Sequence, residues 1–284
     1  MPEGHTIHRL AGRLGERFGG RSVRVDSPTG RFAEGAALVD GHRLTATEAH
    51  GKHLFLSLTA PGTAPGAGTS DGPVSTRLLH VHLGLYGSFR LYRGPAGESE
   101  GQVRLRLATE ENHAVLRGPR VCELITRGEK QEFHRSLGPD PLRTDADPER
   151  AFARISRSRI PVAALLMEQR ILSGVGNVYR AEVLFRNRVD PHLPGRELPR
   201  ERWEAIWHDL TVLMPEGVRT GRIDTVRPEH TPEAMGRPPR RDDHGGEVYV
   251  YRRLHQRCFL CGEWIRAEEM RGRNLFWCPG CQTS

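Results

Sequence analysis

Lysine is nearly absent from this chain: of 42 basic residues only Lys52 and Lys130 are lysine, and the other 40 are arginine. So strong a skew, in a chain also rich in alanine and glycine, follows from genomic base composition as readily as from selection for phosphate contacts. The formal net charge of +7 favours polyanionic partners through counterion release, yet identifies none. Long apolar runs are missing too. No stretch of about 18 apolar residues occurs, which excludes a membrane-spanning helix. The start lacks the basic and apolar regions of a secretory signal, so the expected compartment is the cytoplasm. No internal repeat is present. What remains is a polar chain of 284 residues, 37% hydrophobic and 27% charged, long enough for two domains with separate cores.

Along the chain the hydrophobic period changes. Ile7, Leu10, Ala11, Leu14 and Phe18 recur at helical spacing and predict an amphipathic helix from Gly4 to Phe18. Between about 21 and 125 the pattern is one of short alternating runs, such as 53–58, 79–91, 103–107 and 114–116, separated by turn residues, as in a β-sandwich or barrel. Residues 60–75 are rich in Pro, Gly, Ala, Ser and Thr and read as a surface loop. The polar stretch from 127 to 150 reads as an interdomain linker. Helical patterns follow at 160–169, 179–186 and 200–214. Residues 222–247 hold Pro228, Pro232, Pro238 and Pro239 and read as an irregular loop or insertion; the last 35 residues read as strands around a metal site.

That metal site is the strongest chemical signal. Cys258-x2-Cys261 and Cys278-x2-Cys281 are separated by 16 residues. Each CxxC is a turn that aims two thiolates at one ion, and the spacer suits a hairpin, so four sulfurs can close a tetrahedral structural zinc site. Disulfides are the alternative, and a cytoplasmic setting argues against them. The fifth cysteine, Cys122, stands alone among Val121, Leu124 and Ile125 and reads as a buried small residue.

At the other end, Met1-Pro2-Glu3-Gly4 carries a possible nucleophile. Removal of Met1 would free a proline amine. An α-amine titrates near 7.7–8.0 against about 10.4 for lysine, so more of it is neutral at pH 7. A secondary amine attacking a sugar C1′ yields an iminium ion that cannot lose an N–H proton, which makes it an electron sink for phosphate elimination. Glu3 stands beside it as a proton shuttle. The plainer alternative is that Pro-Glu merely starts the first helix.

Five segments together resolve the choice. Met1-Pro2-Glu3-Gly4-His5-Thr6-Ile7-His8-Arg9-Leu10, Gly51-Lys52-His53, Gly138-Pro139-Asp140-Pro141-Leu142, Leu172-Ser173-Gly174-Val175-Gly176-Asn177-Val178-Tyr179 and Cys278-Pro279-Gly280-Cys281-Gln282 resemble, in order, segments of the formamidopyrimidine-DNA glycosylase / endonuclease VIII family. The resemblance implies that Pro2 is the nucleophile and Glu3 the proton-transfer acid. Lys52 would contact a phosphate beside the lesion and assist base release; otherwise it is a solvated lysine at a strand start. Asn177 would bind the lesion phosphate, where a helix-capping role is the alternative. Arg273 would grip the same phosphates from the zinc finger, an assignment that Arg271 could take instead. Such enzymes flip the target nucleotide out and fill the gap. Leu85 and Tyr86, in His82-Leu83-Gly84-Leu85-Tyr86-Gly87, match the intercalating residues unless they belong to the sandwich core.

One departure matters. The segment that probes the opposite base reads Gly118-Pro119-Arg120-Val121-Cys122 here, without the Phe and second Arg usual in the formamidopyrimidine branch. With Leu85-Tyr86 it points to the endonuclease VIII branch and oxidised pyrimidines. The expected protein is α+β: a catalytic N-terminal helix plus β-sandwich over 1–130, a linker over 131–150, a helical helix–two-turns–helix DNA-binding domain over 151–250 and a zinc ribbon over 251–284. DNA would lie in the cleft between the halves. The expected activity is a bifunctional DNA glycosylase/AP lyase working by β,δ-elimination, as a monomer on double-stranded DNA containing damaged bases. Two alternatives are a damaged-DNA-binding protein without chemistry and a glycosylase for bulky adducts or crosslinks.

Overall fold

The computed structural model describes residues 2–62, 76–97, 101–241 and 246–283. The chain separates into two compact units: residues 7–135 with Pro2, and residues 3–6 with 136–283. Most of the loop expected at 60–75, and residues 242–245 of the Pro-containing segment, lie outside the described residues.

In the first unit, helix α1 (Gly4–Phe18) takes the bounds its periodicity predicts. Ile7, Leu10, Ala11, Leu14 and Phe18 are buried, and Gly19 and Gly20 end the helix, Gly20 at φ +73°. Two antiparallel four-stranded sheets follow. One is formed by β1 (Arg24–Asp26), β5 (Ser88–Arg93), β6 (Val103–Ala108) and β7 (Asn112–Arg117) in the order β1-β6-β7-β5. The other joins β2 (Arg43–His50), β3 (His53–Thr59), β4 (Thr76–His82) and β8 (Val121–Ile125) in the order β2-β3-β4-β8. A short helix α2 (Ala33–Ala37) follows β1. Leu44, Leu54, Leu56, Leu58, Leu79, Val81, Leu105, Leu107 and Leu116 turn inward and form one core with α1, as alternation in strands requires.

The polar stretch expected to be a linker is largely regular structure. Helix α3 (Arg127–Ser136) opens on a capping box: Thr126 Oγ1 accepts from Glu129 N at 3.1 Å, and the Glu129 carboxylate accepts from Thr126 N at 2.7 Å. Phe133 and His134 of α3 pack against His53, Phe55 and His80, which is why Phe55 on β3 is buried although it faces away from Leu54 and Leu56. Beneath α3, His53 Nδ1 lies 2.8 Å from His80 Nε2, and His80 Nδ1 lies 2.9 Å from Glu123 Oε1.

The second unit holds α4 (Pro148–Ile155), α5 (Val162–Leu165), α6 (Asn177–Arg186), α7 (Arg200–Thr220), α8 (Pro232–Met235) and the hairpin of β9 (Arg266–Met270) and β10 (Arg273–Trp277). The helix expected at 160–169 shrinks to the single turn α5. Its residues are buried on every side, so the apolar run there reflects complete burial and not one face of a longer helix. Conversely, α7 runs through Pro215 to Thr220, with Trp203, Ile206, Leu210, Met214 and Gly217 buried and Pro215 on the exposed side; Gly221 at φ +78° ends it. The described part of 222–247 is ordered, with a 3₁₀ turn at Pro228–His230 and α8. Residues 138–142 belong to this unit and not to the end of the first: Gly138 N donates to the Gln169 carbonyl, and Ser173 N to the Pro139 carbonyl, each at 2.9 Å. Leu275, Cys258 and Cys278 share one core with Tyr179, Trp203 and Leu210. No helix among the described residues is long and apolar enough to cross a membrane.

The half-buried histidines His53 and His82 make the first unit acid-sensitive. Burial, reinforced by the neighbouring histidines, lowers the His53 pKa from 6.5 to about 3; burial, Arg120, His80 and Lys52 lower that of His82 to about 4. The unfolded chain therefore takes up protons near pH 6.5 while the folded unit does not, so their contribution is present above that pH and is lost on acidification. Stability should fall between pH 7 and 5, by up to about 1.4 kcal/mol per pH unit and per histidine. Urea unfolding at the two pH values checks this. His53→Phe should flatten the dependence, and an unchanged slope would contradict the assignment.

Candidate active site

Pro2 is half-buried and Glu3 is 2% exposed. The Glu3 carboxylate accepts from the backbone N–H of Gly176 at 3.0 Å, of Val178 at 2.8 Å and, more weakly, of Tyr179 at 3.5 Å. Those are the open donors at the start of α6, whose N-cap residue, Gly176, has no side chain to satisfy them. A carboxylate from the beginning of the chain does that work, in the favourable field of the helix N-terminus. Glycine is required at 176 because a Cβ there would stand 2.3 Å from Glu3 Cδ. Next to it, Gly4 N donates to the Gly174 carbonyl at 2.8 Å, and Gly174 has φ +84°. The two glycines of Gly174-Val175-Gly176-Asn177 thus serve different ends, one a left-handed turn and the other the seat of Glu3.

Lys52 is the second residue of the two-residue turn between β2 and β3, following Gly51 at φ +57°. Its charge reaches His82, whose imidazole it helps to keep neutral. His82 Nδ1 accepts from Gly84 N at 3.1 Å, and the His82 carbonyl accepts from Arg120 N at 2.9 Å. The turn that follows is closed by Gly87 N donating to the Leu83 carbonyl at 3.1 Å. Leu83 is buried, Leu85 is 42% exposed and Tyr86 93% exposed. Neither Leu85 nor Tyr86 is sandwich core. One hydrogen-bonded turn presents an aliphatic and an aromatic side chain to solvent.

Asn177, the first residue of α6, is buried, and its Nδ2 donates to the Asn274 carbonyl at 2.8 Å. Asn274 follows Arg273 at the start of β10. The hairpin turn is Arg271-Gly272, both left-handed at φ +50° and +71°, so Arg271 occupies the exposed tip while half-buried Arg273 pairs with Met270. Arg273 therefore lies beside the residue that Asn177 holds. The four cysteine sulfurs lie within 4.8 Å of one another, Cys258 to Cys281 at 3.8 Å and Cys261 to Cys278 at 3.4 Å. A tetrahedron of thiolates around a metal at about 2.3 Å has edges of roughly 3.8 Å, so the donor set and its spacing fit one ion. Cys122 stands apart, half-buried on β8, with its thiol pushed up to about 12 by burial.

Comparison with known proteins accords with this arrangement. Residues 1–123 match the formamidopyrimidine-DNA glycosylase N-terminal domain and residues 137–228 its H2TH domain. The chain is 47% identical over 290 residues to "Endonuclease 8 1" of Mycobacterium tuberculosis, covering 100% of both. The chain belongs to the formamidopyrimidine-DNA glycosylase family. It is 29% identical over 292 residues to the formamidopyrimidine-DNA glycosylase of Thermus thermophilus, covering 99% of this chain and 98% of the relative, and so falls with the endonuclease VIII branch. The crystal structure of the Thermus thermophilus MutM (Fpg) protein is 27% identical, with TM-score 0.74, and covers 99% of this chain and 98% of that one. A Lactococcus lactis Fpg bound to abasic-site DNA shares the fold, at TM-score 0.77 and 20% identity, with 99% and 100% covered.

This member of a family of DNA glycosylases carries, one in each unit, two polar residues beside the candidates that reading the sequence passes over. His82 fixes the Leu85-Tyr86 turn, and Arg180 lies one helical turn after Asn177. Arg180 was open to recognition as a charge at i+3 from the asparagine in an otherwise apolar half-helix. The thiolate cluster generates a direct test. Cys258→Ser should lower the bound metal, measured by elemental analysis, from one ion per chain to a small fraction. Melting temperature should fall with it, because the hairpin shares the core of the second unit. Full metal content in the variant would rule out the four-cysteine site.

Proposed function

We propose that this protein is a bifunctional DNA glycosylase and AP lyase that excises oxidised pyrimidines with the Pro2 amine as nucleophile. The observation that carries the reading is the seat of Glu3. The residue after the nucleophile is locked onto the N-terminus of α6, the helix whose first residue is the candidate phosphate ligand Asn177.

In this reading Met1 is removed, and the Pro2 nitrogen bonds to C1′ as the bond from C1′ to the base breaks; the amine proton passes to the departing base, which leaves neutral. The deoxyribose ring then opens, its O4′ taking a proton from Glu3, which leaves an iminium between Pro2 and C1′. Glu3, now a carboxylate, takes a C2′ proton while the C–H electrons pass to the iminium; the resulting enamine expels the 3′-phosphate, a second elimination expels the 5′-phosphate, and water releases the sugar fragment from Pro2. Lys52, on its tight turn, contacts a phosphate beside the lesion and assists base release. Asn177 and Arg273 hold the lesion phosphates, and Leu85 and Tyr86 fill the space the flipped nucleotide vacates. The cluster of Cys258, Cys261, Cys278 and Cys281 takes zinc. With all four positions filled, the ion organises the hairpin that carries Arg273 and takes no part in the chemistry. The substrate is double-stranded DNA containing damaged bases, met by a monomeric protein in the bacterial cytoplasm at the nucleoid.

Borohydride reduction during reaction with a duplex carrying an oxidised pyrimidine tests the mechanism. Processed protein should yield a covalent adduct that maps to Pro2 by peptide mass. The same protein with Met1 retained should yield none, because residue 2 then offers only an amide nitrogen. Tight binding of damaged DNA without an adduct would make the protein a damage sensor and discard the lyase mechanism.

A further inference from the structure

Arg180 is among the largest fully buried side chains, 1% exposed. Burial lowers its pKa to about 10, with Glu3 raising it and Arg273 lowering it further, so the guanidinium remains charged at neutral pH. A buried charge is costly unless it is paired. Yet among the described residues no carboxylate lies within ion-pairing distance of it, and its Nε has no hydrogen-bond partner. It spends its donors on two neutral oxygens instead: Nη2 donates to Asn177 Oδ1 and, at 3.3 Å, to the Asn274 carbonyl.

Those two contacts decide what Asn177 presents. With Oδ1 taken by the guanidinium, Nδ2 is directed at the Asn274 carbonyl, 2.8 Å away. Were the amide reversed, Oδ1 would face a carbonyl oxygen and Nδ2 would face a cation, both repulsive. Arg180 therefore holds the donor end of Asn177 toward the hairpin. By gripping the Asn274 carbonyl as well, it fixes the backbone next to Arg273.

We propose that Arg180 is a positioning residue for phosphate capture: it orients the Asn177 amide, secures the β10 backbone beside Arg273, and carries a buried positive charge whose counter-ion is the bound DNA phosphate. The inference rests on the phosphate role assigned above to Asn177.

A double-mutant cycle read as affinity for a duplex containing a tetrahydrofuran abasic-site analogue separates the possibilities. Asn177→Ala and Arg180→Met should each weaken binding about tenfold, the scale of a hydrogen bond involving a charged group. The double variant should lose clearly less than the product of the two single losses, because the part of the Arg180 effect that runs through the Asn177 amide is already gone in Asn177→Ala. Arg180→Lys, which keeps the charge but can serve only one of the two oxygens well, should fall between Arg180→Met and wild type. Losses that multiply in the double variant would overturn the proposal, since a residue acting only on general stability is blind to Asn177. Wild-type affinity in folded Arg180→Met would also overturn it. If Asn177→Ala binds normally, the phosphate reading of Asn177 fails and the inference falls with it, a result distinct from the first two. Melting temperature and metal content of every variant establish folding. Should Arg180→Met not fold, Arg180→Gln takes its place in the cycle.

Discussion

Glu3 completes the open end of α6, and much of the second unit is arranged around that contact. Three backbone N–H groups with no intrahelical acceptor converge on one carboxylate. The helix N-terminus supplies a field that favours its charge. For this to occur residue 176 must lack a side chain, residue 174 must be left-handed, and Gly4 must come close enough to donate to the Gly174 carbonyl. These demands explain the glycine spacing of the helix–two-turns–helix motif without reference to a ligand. They also mean that the backbone bearing Pro2 is fixed by a buried polar contact one residue away and not by packing alone.

The same helix carries three further buried polar links, each to a different segment. Asn177 and Arg180 hold the Asn274 carbonyl of the cysteine-bearing hairpin. Glu182 accepts from three successive N–H groups, those of Tyr249, Val250 and Tyr251, at 2.7 to 2.9 Å, and from the Thr225 hydroxyl at 2.6 Å. Arg186 pairs with Asp209 of α7 at 2.7 Å, in a contact shared by Asn187. A buried polar group left unpartnered costs on the order of 1–3 kcal/mol, so each link specifies one arrangement more than it adds net stability. The result is a helix whose neighbours are held in register by directional contacts. Such preorganisation is what holding a phosphate in a fixed place requires.

The elements that were readable beforehand are those with a strong local signal. The stripe in α1 gave its bounds, and the two CxxC pairs gave both the metal site and the hairpin between them. Strand alternation gave the sandwich. The segments misjudged had signals of another kind. Residues 127–136 lack an apolar stripe, yet Thr126-x-x-Glu129 is a capping box and marks a helix start. The helix read over 200–214 continues past Pro215, which lies on the exposed side of α7 while the buried stripe runs on to Gly217. The 160–169 pattern misled because complete burial and one helical face look alike over ten residues. The candidates Pro2, Glu3 and Asn177 came from their motifs. The exposure of Leu85 and Tyr86, and the parts played by His82 and Arg180, depend on contacts between segments far apart in sequence.

The most direct test of this account is the single-turnover excision rate of Glu3→Gln, measured with its melting temperature on the same preparation. Gln must turn one amide N–H pair toward backbone donors that need an acceptor, and it cannot carry the proton. The account therefore predicts a rate lower by at least about a hundredfold together with a lower melting temperature. A variant that melts early but excises at the wild-type rate would reduce Glu3 to a helix cap and contradict its place in the chemistry.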